Sequence, residues 1–240
     1  MNWILKIVDF LFPVSCTECG QVDILSKKIG ICRKCIPKQV PIPDNLCEIC
    51  ATPLLENSCG YCESRNVFFD KLFFINPTGV FEKKILNKIK FGNEMILSNY
   101  FRLGIGRILK KIQFNEFNYL TLIPSHKNTL RKRPISQSFS ILKILEKRSK
   151  FCLKNDLLLK KNSADLQSKK SYRERFLYAK KAYSIEKKFI HNLRGNAILI
   201  DDIFTTGASV NECSKILKEN GVEKVYLIVF VKSISNDFFT

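Results

Sequence analysis

The stretch "ILIDDIFTTGAS", residues 198–209, decides the fold. An apolar run, Ala197 to Ile200, leads straight into Asp201 and Asp202. Thr205, Thr206, Gly207, Ala208 and Ser209 follow. Beyond them "SVNECSKILKEN" (209–220) has helical apolar spacing, and Gly221 stands where a helix C-cap is expected. The order is buried strand, polar loop, helix. A helix start needs one hydroxyl or carboxylate as its cap, and this loop supplies five polar groups. Such a loop is suited to an anion. Its amides and the helix N-terminus attract negative charge, Gly207 lets the backbone approach a ligand closely, and Thr205, Thr206 and Ser209 add donors. Asp201 and Asp202 can accept from a diol, such as the 2- and 3-hydroxyls of ribose, directly or through Mg²⁺. One end of the loop suits phosphate and the other end suits sugar.

Working outward, the same alternation recurs. "VFFDKLFFI" (67–75), "YLTLIP" (119–124), "NAILI" (196–200) and "VEKVYLIVFV" (222–231) read as strands. "FEKKILNKIKF" (81–91), "MILSNYFRLGIGRILKKI" (95–112) and "SQSFSILKILEKRS" (136–149, with Ser136 as N-cap) read as helices. Near-continuous apolar strands between helices predict an α/β fold with a parallel sheet covered on both faces. Ligands in such folds bind at the carboxyl ends of the strands, which is where the 201–209 loop lies.

Eight of the ten cysteines fall before residue 63 as four Cys-x-x-Cys pairs: Cys16/Cys19, Cys32/Cys35, Cys47/Cys50 and Cys59/Cys62. Each pair places two sulfurs on one tight turn, and two pairs close a tetrahedral structural site. Disulfides would need an oxidising compartment, and no export signal is visible. Iron–sulfur clusters also use four cysteines, but the even pairing favours zinc. The simplest assignment gives Cys16, Cys19, Cys32 and Cys35 one Zn²⁺, and Cys47, Cys50, Cys59 and Cys62 a second; spacing alone leaves a crossed assignment open. The core of this segment is thin, so metal would supply much of its folding energy. Cys213 reads as a small core residue.

The net charge is +18, unevenly placed. Residues 1–79 carry 8 basic and 8 acidic residues, residues 80–194 carry 28 and 8, and residues 195–240 carry 4 and 6. The middle of the chain attracts polyanions. Phe91, Tyr100, Phe101 and Tyr172 lie near its basic residues and could stack on unpaired bases, although their helical spacing favours core packing. The apolar N-terminus "MNWILKIVDFLFPV" is broken by Lys6 and Asp9 and reads as an amphipathic helix, not a signal peptide. With no apolar run of about 18 residues, the reading is a cytoplasmic protein without a transmembrane segment. Residues 1–66 form the metal module and 67–240 the sheet domain.

"ILIDDIFTTGAS" resembles the phosphoribosyl-pyrophosphate (PRPP) motif of type I phosphoribosyltransferases. "IKFGN" (89–93), "LIPSHKNTLRKRPISQSFSILKIL" (122–145) and "QSKKSYRERFLYAKKAYSI" (167–185) are similar to segments of the ComF family, whose members are linked to natural competence and carry N-terminal cysteine quartets. The resemblance implies a type I phosphoribosyltransferase-like parallel sheet flanked by helices, preceded by a small N-terminal four-cysteine zinc-ribbon module. It implies PRPP binding with Mg²⁺ by Asp201, Asp202, Thr205, Thr206, Gly207, Ala208 and Ser209. Lys90, His126, Arg131 and Arg133 are the candidates for the diphosphate, whose charge grows as it leaves. Single-stranded DNA handled during uptake is the polyanion the resemblance suggests, and a competence helicase or DNA-processing protein the partner. The chain departs from the family at "RPISQ" (133–137), where Pro134 replaces a glycine and Ser136 an amide, and at Tyr178, which stands for Asn. Two readings follow: a competence protein that holds PRPP and DNA, or a phosphoribosyltransferase of nucleotide metabolism, for which the sequence names neither a catalytic base nor an acceptor.

Overall fold

The computed structural model describes residues 3, 11–37, 42–92, 94–124, 145, 152–153, 157–161 and 172–233. Their elements, in chain order, are α1 (Ile24–Ile29), α2 (Gly60–Glu63), β1 (Lys71–Pro77), α3 (Val80–Gly92), α4 (Ser98–Leu109), β2 (Phe117–Leu122), β3 (Cys152–Leu153), β4 (Leu158–Lys160), α5 (Tyr172–Ala182), β5 (Tyr183–Ile185), β6 (Asn196–Phe204), α6 (Ala208–Glu219) and β7 (Val225–Lys232). A short 3₁₀ turn at Met95–Leu97 precedes α4, where the sequence predicted one continuous helix from 95. Of the expected N-terminal helix, Trp3 and Leu11 are helical and exposed. The helix predicted over 136–149 lies outside the described residues except for Leu145, which is helical and buried.

Five strands form one parallel sheet in the order β1-β7-β6-β2-β3. The central strands β6 and β7 alternate between two cores. Ile198, Ile200, Ile228 and Phe230 face the side covered by α3 and α4. Ala197, Leu199, Leu227 and Val229 face the side that holds α6. Both faces are therefore apolar, as a parallel sheet with two helical layers requires. Gly104 of α4 has no Cβ because one would overlap the Ile75 side chain of β1. Phe101 is fully buried there, and Tyr100 packs edge-on to Phe81 and Phe101. Phe101 belongs to the core and is closed to nucleobases, Tyr100 is half-buried against it, and Phe91 is exposed.

The sheet's strand order contains a switch. From β2 the chain moves outward to β3, whereas from β6 it moves the other way to β7. The strands that follow β2 and β6 thus lie on opposite sides of that pair, and such a switch leaves a crevice at the strands' carboxyl ends. A separate antiparallel ribbon, β4 with β5, contributes residues to that crevice.

The cysteine-rich segment packs on both faces of the sheet. Cys16, Ile29, Ile31 and Cys32 join the core beneath α3 and α4. Cys50, Cys59 and Tyr61 join the opposite core with Phe204, Ala208 and Cys213. Cys213 is fully buried, as its sequence position suggested.

Candidate functional site

A cleft of about 460 Å³ opens at the switch between β2 and β6. Ile123 and Pro124, just after β2, form one wall, and residues 201–210 form its floor. The structure therefore brings together all seven residues predicted from the loop: Asp201, Asp202, Thr205, Thr206, Gly207, Ala208 and Ser209. One detail differs from the sequence reading. β6 does not stop at Ile200 but continues through both aspartates to Phe204, held by β7 through the pairs Asp201↔Val229 and Ile203↔Val231. The acids are strand residues on a rigid element, and the loop proper is only Thr205 to Gly207.

The loop is tight. Gly207 is the N-cap of α6 and adopts φ 73°, ψ 2°, a left-handed conformation that costs a glycine little. A Cβ there would overlap the Tyr61 hydroxyl and the Phe204 ring. The Ala208 amide donates to Thr206 Oγ1 at 3.4 Å, and the Tyr61 hydroxyl donates to the Thr206 carbonyl at 3.3 Å. The Tyr183 hydroxyl donates to Ser209 Oγ at 3.1 Å. At the far end of α6, the capping position falls on Asn220, with Gly221 at φ 106° just beyond it.

The two aspartates differ in charge environment. Asp202 is ion-paired with Lys90 from the last turn of α3. Asp201 receives the Asp202 amide at 2.8 Å. Its burial and the adjacent Asp202 charge push its carboxyl up to about 8, against the opposing pull of Lys90 and Lys160. Lys160 from β4, Arg175 from α5 and Tyr183 from β5 complete the walls. Sequence reasoning missed these three. Arg175 and Tyr183 both lie in the 167–185 stretch that resembles the ComF family. Lys160 has no local signal, since only the ribbon pairing Lys160↔Tyr183 brings it here. Of the four cations expected at a diphosphate, Lys90 is in the cleft; His126, Arg131 and Arg133 lie outside the described residues.

Two cysteine quartets form at the predicted positions, in sequence order: Cys16, Cys19, Cys32 and Cys35, and then Cys47, Cys50, Cys59 and Cys62. Within each quartet all sulfurs lie within 4.8 Å of one another. Cys19–Cys32 at 3.6 Å, Cys50–Cys59 at 3.4 Å and Cys47–Cys62 at 3.8 Å match the edge of about 3.8 Å of a tetrahedron with Zn–S bonds of about 2.3 Å. Those separations are far above the roughly 2.05 Å of a disulfide bond. The donors fit Zn²⁺, and the crossed assignment that spacing had left open does not occur. Four thiolates on Zn²⁺ carry a net negative charge. Lys232, fully buried, lies close to the second quartet: its ammonium is 3.2 Å from Thr52 Oγ1, which is 3.2 Å from Cys50 Sγ. Burial pulls this lysine down to about 8, and the cysteines' negative charge opposes that pull.

Fold and site together define a parallel α/β protein with a polar cleft at a topological switch point, joined to a two-quartet metal module. Residues 7–64 match the double zinc ribbon domain family. The chain is similar over most of its length to competence proteins. ComFC of Bacillus subtilis (strain 168) is 26% identical over 80% of this chain and 79% of its own. ComFC of Streptococcus pneumoniae (strain ATCC BAA-255 / R6) is 25% identical over 84% of this chain and 87% of its own. Competence protein F of Haemophilus influenzae (strain ATCC 51907 / DSM 11121 / KW20 / Rd) is 22% identical over 89% and 95%. These matches bear out the ComF-family resemblance.

Proposed function

We propose that this chain is a PRPP-binding protein of natural transformation, which holds PRPP with Mg²⁺ in the switch-point cleft and binds single-stranded DNA during uptake in the cytoplasm. Competence is the role named for its relatives in three bacteria. The observation that carries the ligand reading is the order of groups along the cleft. Two acids at the end of β6 suit the ribose diol. The Thr205–Ser209 turn and the α6 N-terminus suit the 5-phosphate, with amides and hydroxyls as donors. Lys90, Lys160 and Arg175 stand around them and suit a diphosphate. The division into a metal module (1–66) and a ligand domain (67–240) belongs to this proposal, as do Mg²⁺ and the assignment of His126, Arg131 and Arg133 to the diphosphate side.

The DNA part rests on charge. Residues 80–194 hold 28 of the 40 basic side chains. Contact with three to six phosphates gives a slope of about −2 to −4 when the logarithm of the single-strand binding constant is plotted against the logarithm of salt concentration. A flat plot, or no binding at low salt, rules the DNA role out. For the ligand, PRPP with Mg²⁺ at about 100 times its dissociation constant raises stability by about 2.7 kcal/mol, readable as an upward melting shift. Inorganic phosphate at equal concentration gives less. Equal shifts from the two would remove the ribose from the reading. A pyrophosphate-release screen with purines, pyrimidines and amines tests whether transfer follows binding.

A further inference from the structure

Tyr61 stands between two metal ligands, Cys59 and Cys62, yet its hydroxyl ends at the ligand loop 145 positions further along the chain. It is fully buried. Its ring lies 5.4 Å from Phe204 at the end of β6, and the Arg65 guanidinium covers it at 4.0 Å. Its hydroxyl donates to the Thr206 carbonyl and fills the space a Cβ on Gly207 would need. The first turn of α6 is tied to the same segment: Asn211 accepts from the Phe68 amide at 2.8 Å and donates to the Asn66 carbonyl at 2.9 Å.

The chemistry of that one hydrogen bond is specific. In a trans peptide the carbonyl and the following N–H point in opposite directions. Holding the Thr206 carbonyl on Tyr61 therefore fixes the Gly207 N–H on the other side of the peptide, away from Tyr61. Gly207 is also the residue that would allow this peptide to flip, because glycine accepts either sign of φ. A flip would exchange a donor for a carbonyl oxygen, which repels a phosphate. A tyrosine on a flexible loop could follow such a flip. This one cannot move far, since the sulfurs on either side of it are in the second quartet.

We propose that Tyr61 is a positioning residue that locks the Thr206–Gly207 peptide in its anion-accepting orientation, and that it thereby couples Zn²⁺ at Cys47, Cys50, Cys59 and Cys62 to ligand binding at the loop. The coupling to PRPP rests on the functional reading above; the lock on the peptide does not. Coupling of this kind is reciprocal: ligand at the loop must strengthen zinc binding at the second quartet by the factor by which zinc strengthens ligand binding.

The test compares the zinc-loaded full chain with Tyr61→Phe, which removes one hydroxyl and keeps every cysteine. Metal analysis first establishes equal zinc content in both. Without ligand, hydrogen exchange of the amides at 205–210 is several-fold faster in Tyr61→Phe, while β6 and β7 exchange as in the wild type. PRPP with Mg²⁺ binds the variant about 3- to 10-fold more weakly, the range of one hydrogen bond. PRPP also slows zinc transfer to a chromophoric chelator in the wild type and does so less in the variant, a change that a purely structural tyrosine would not produce. Unchanged loop exchange in Tyr61→Phe overturns the proposal. A wild type that does not bind PRPP overturns the functional reading instead, and loop exchange still decides whether Tyr61 locks the peptide.

Discussion

Asp201 and Asp202 are adjacent in sequence but sit in different surroundings. Lys90 neutralises Asp202, whereas burial beside that acid raises Asp201 to about 8. A carboxyl whose pKa is raised by folding binds its proton more tightly in the native state. Asp201 therefore weakens the empty protein progressively as pH climbs from about 4 to about 8. Accepting from the two ribose hydroxyls with one oxygen each, or ligating Mg²⁺, calls for the ionised form. Affinity for PRPP with Mg²⁺ should thus rise between pH 6 and 8, with proton release visible as a calorimetric enthalpy that depends on the buffer. Asp201→Asn should flatten both; a flat wild-type profile would contradict the assignment. Gly207→Ala should cost about 1–3 kcal/mol of stability, read by chemical denaturation, because it combines a positive φ with an overlap on Tyr61. The acids, hydroxyls and glycine were legible in the sequence because the loop that joins them is local. Tyr61 and Lys160 were not, since only tertiary packing brings Tyr61 to the loop and Lys160 to the cleft.

At the scale of elements, β6 and α3 do more than their sequence patterns indicated. The apolar run marks the buried start of β6, but backbone pairing with β7 carries the strand four residues further. Polar side chains hid that extension, because hydropathy cannot distinguish a strand end in a lined cleft from a loop. α3 was legible from its apolar spacing, but its anchoring was not. Glu18, between Cys16 and Cys19, pairs with Lys84 and Lys88, and Lys88 also donates to the Thr17 carbonyl at 2.7 Å. The first quartet thus steadies the helix whose last turn delivers Lys90 to Asp202. Glu18→Gln should leave zinc content unchanged and weaken PRPP binding, measured by calorimetry, by about 2- to 5-fold, the scale of the partly exposed ion pairs it removes. Asn211→Ala breaks the tie from α6 to Asn66 and Phe68. It should destabilise the fold by about 1–3 kcal/mol in urea titrations, more than Glu219→Ala at the exposed end of the same helix.

At the scale of the molecule, the cysteine segment is part of both cores and not an appendage. Cys16 and Cys32 are buried under α3 and α4, and Cys50 and Cys59 under α6. Stripping zinc with a strong chelator should therefore lower the melting temperature of the sheet as well as unfold residues 11–64, in a single transition followed by sheet-sensitive circular dichroism. A sheet that melts unchanged after zinc removal would show two independent units. The pairs themselves were plain in the sequence. Their burial on opposite faces of one sheet was not, because spacing along a chain carries no information about which core a knuckle joins. The central claim is that β6 and its loop form a ribose-5-phosphate cradle, and calorimetry addresses it most directly. PRPP with Mg²⁺ is titrated into the zinc-loaded wild type and into Asp201→Ala/Asp202→Ala. Saturable binding by the wild type and a loss of at least about 100-fold in the double variant, the scale of two charge-assisted contacts, is the predicted result. Equal binding by both proteins, or none by the wild type, would contradict it.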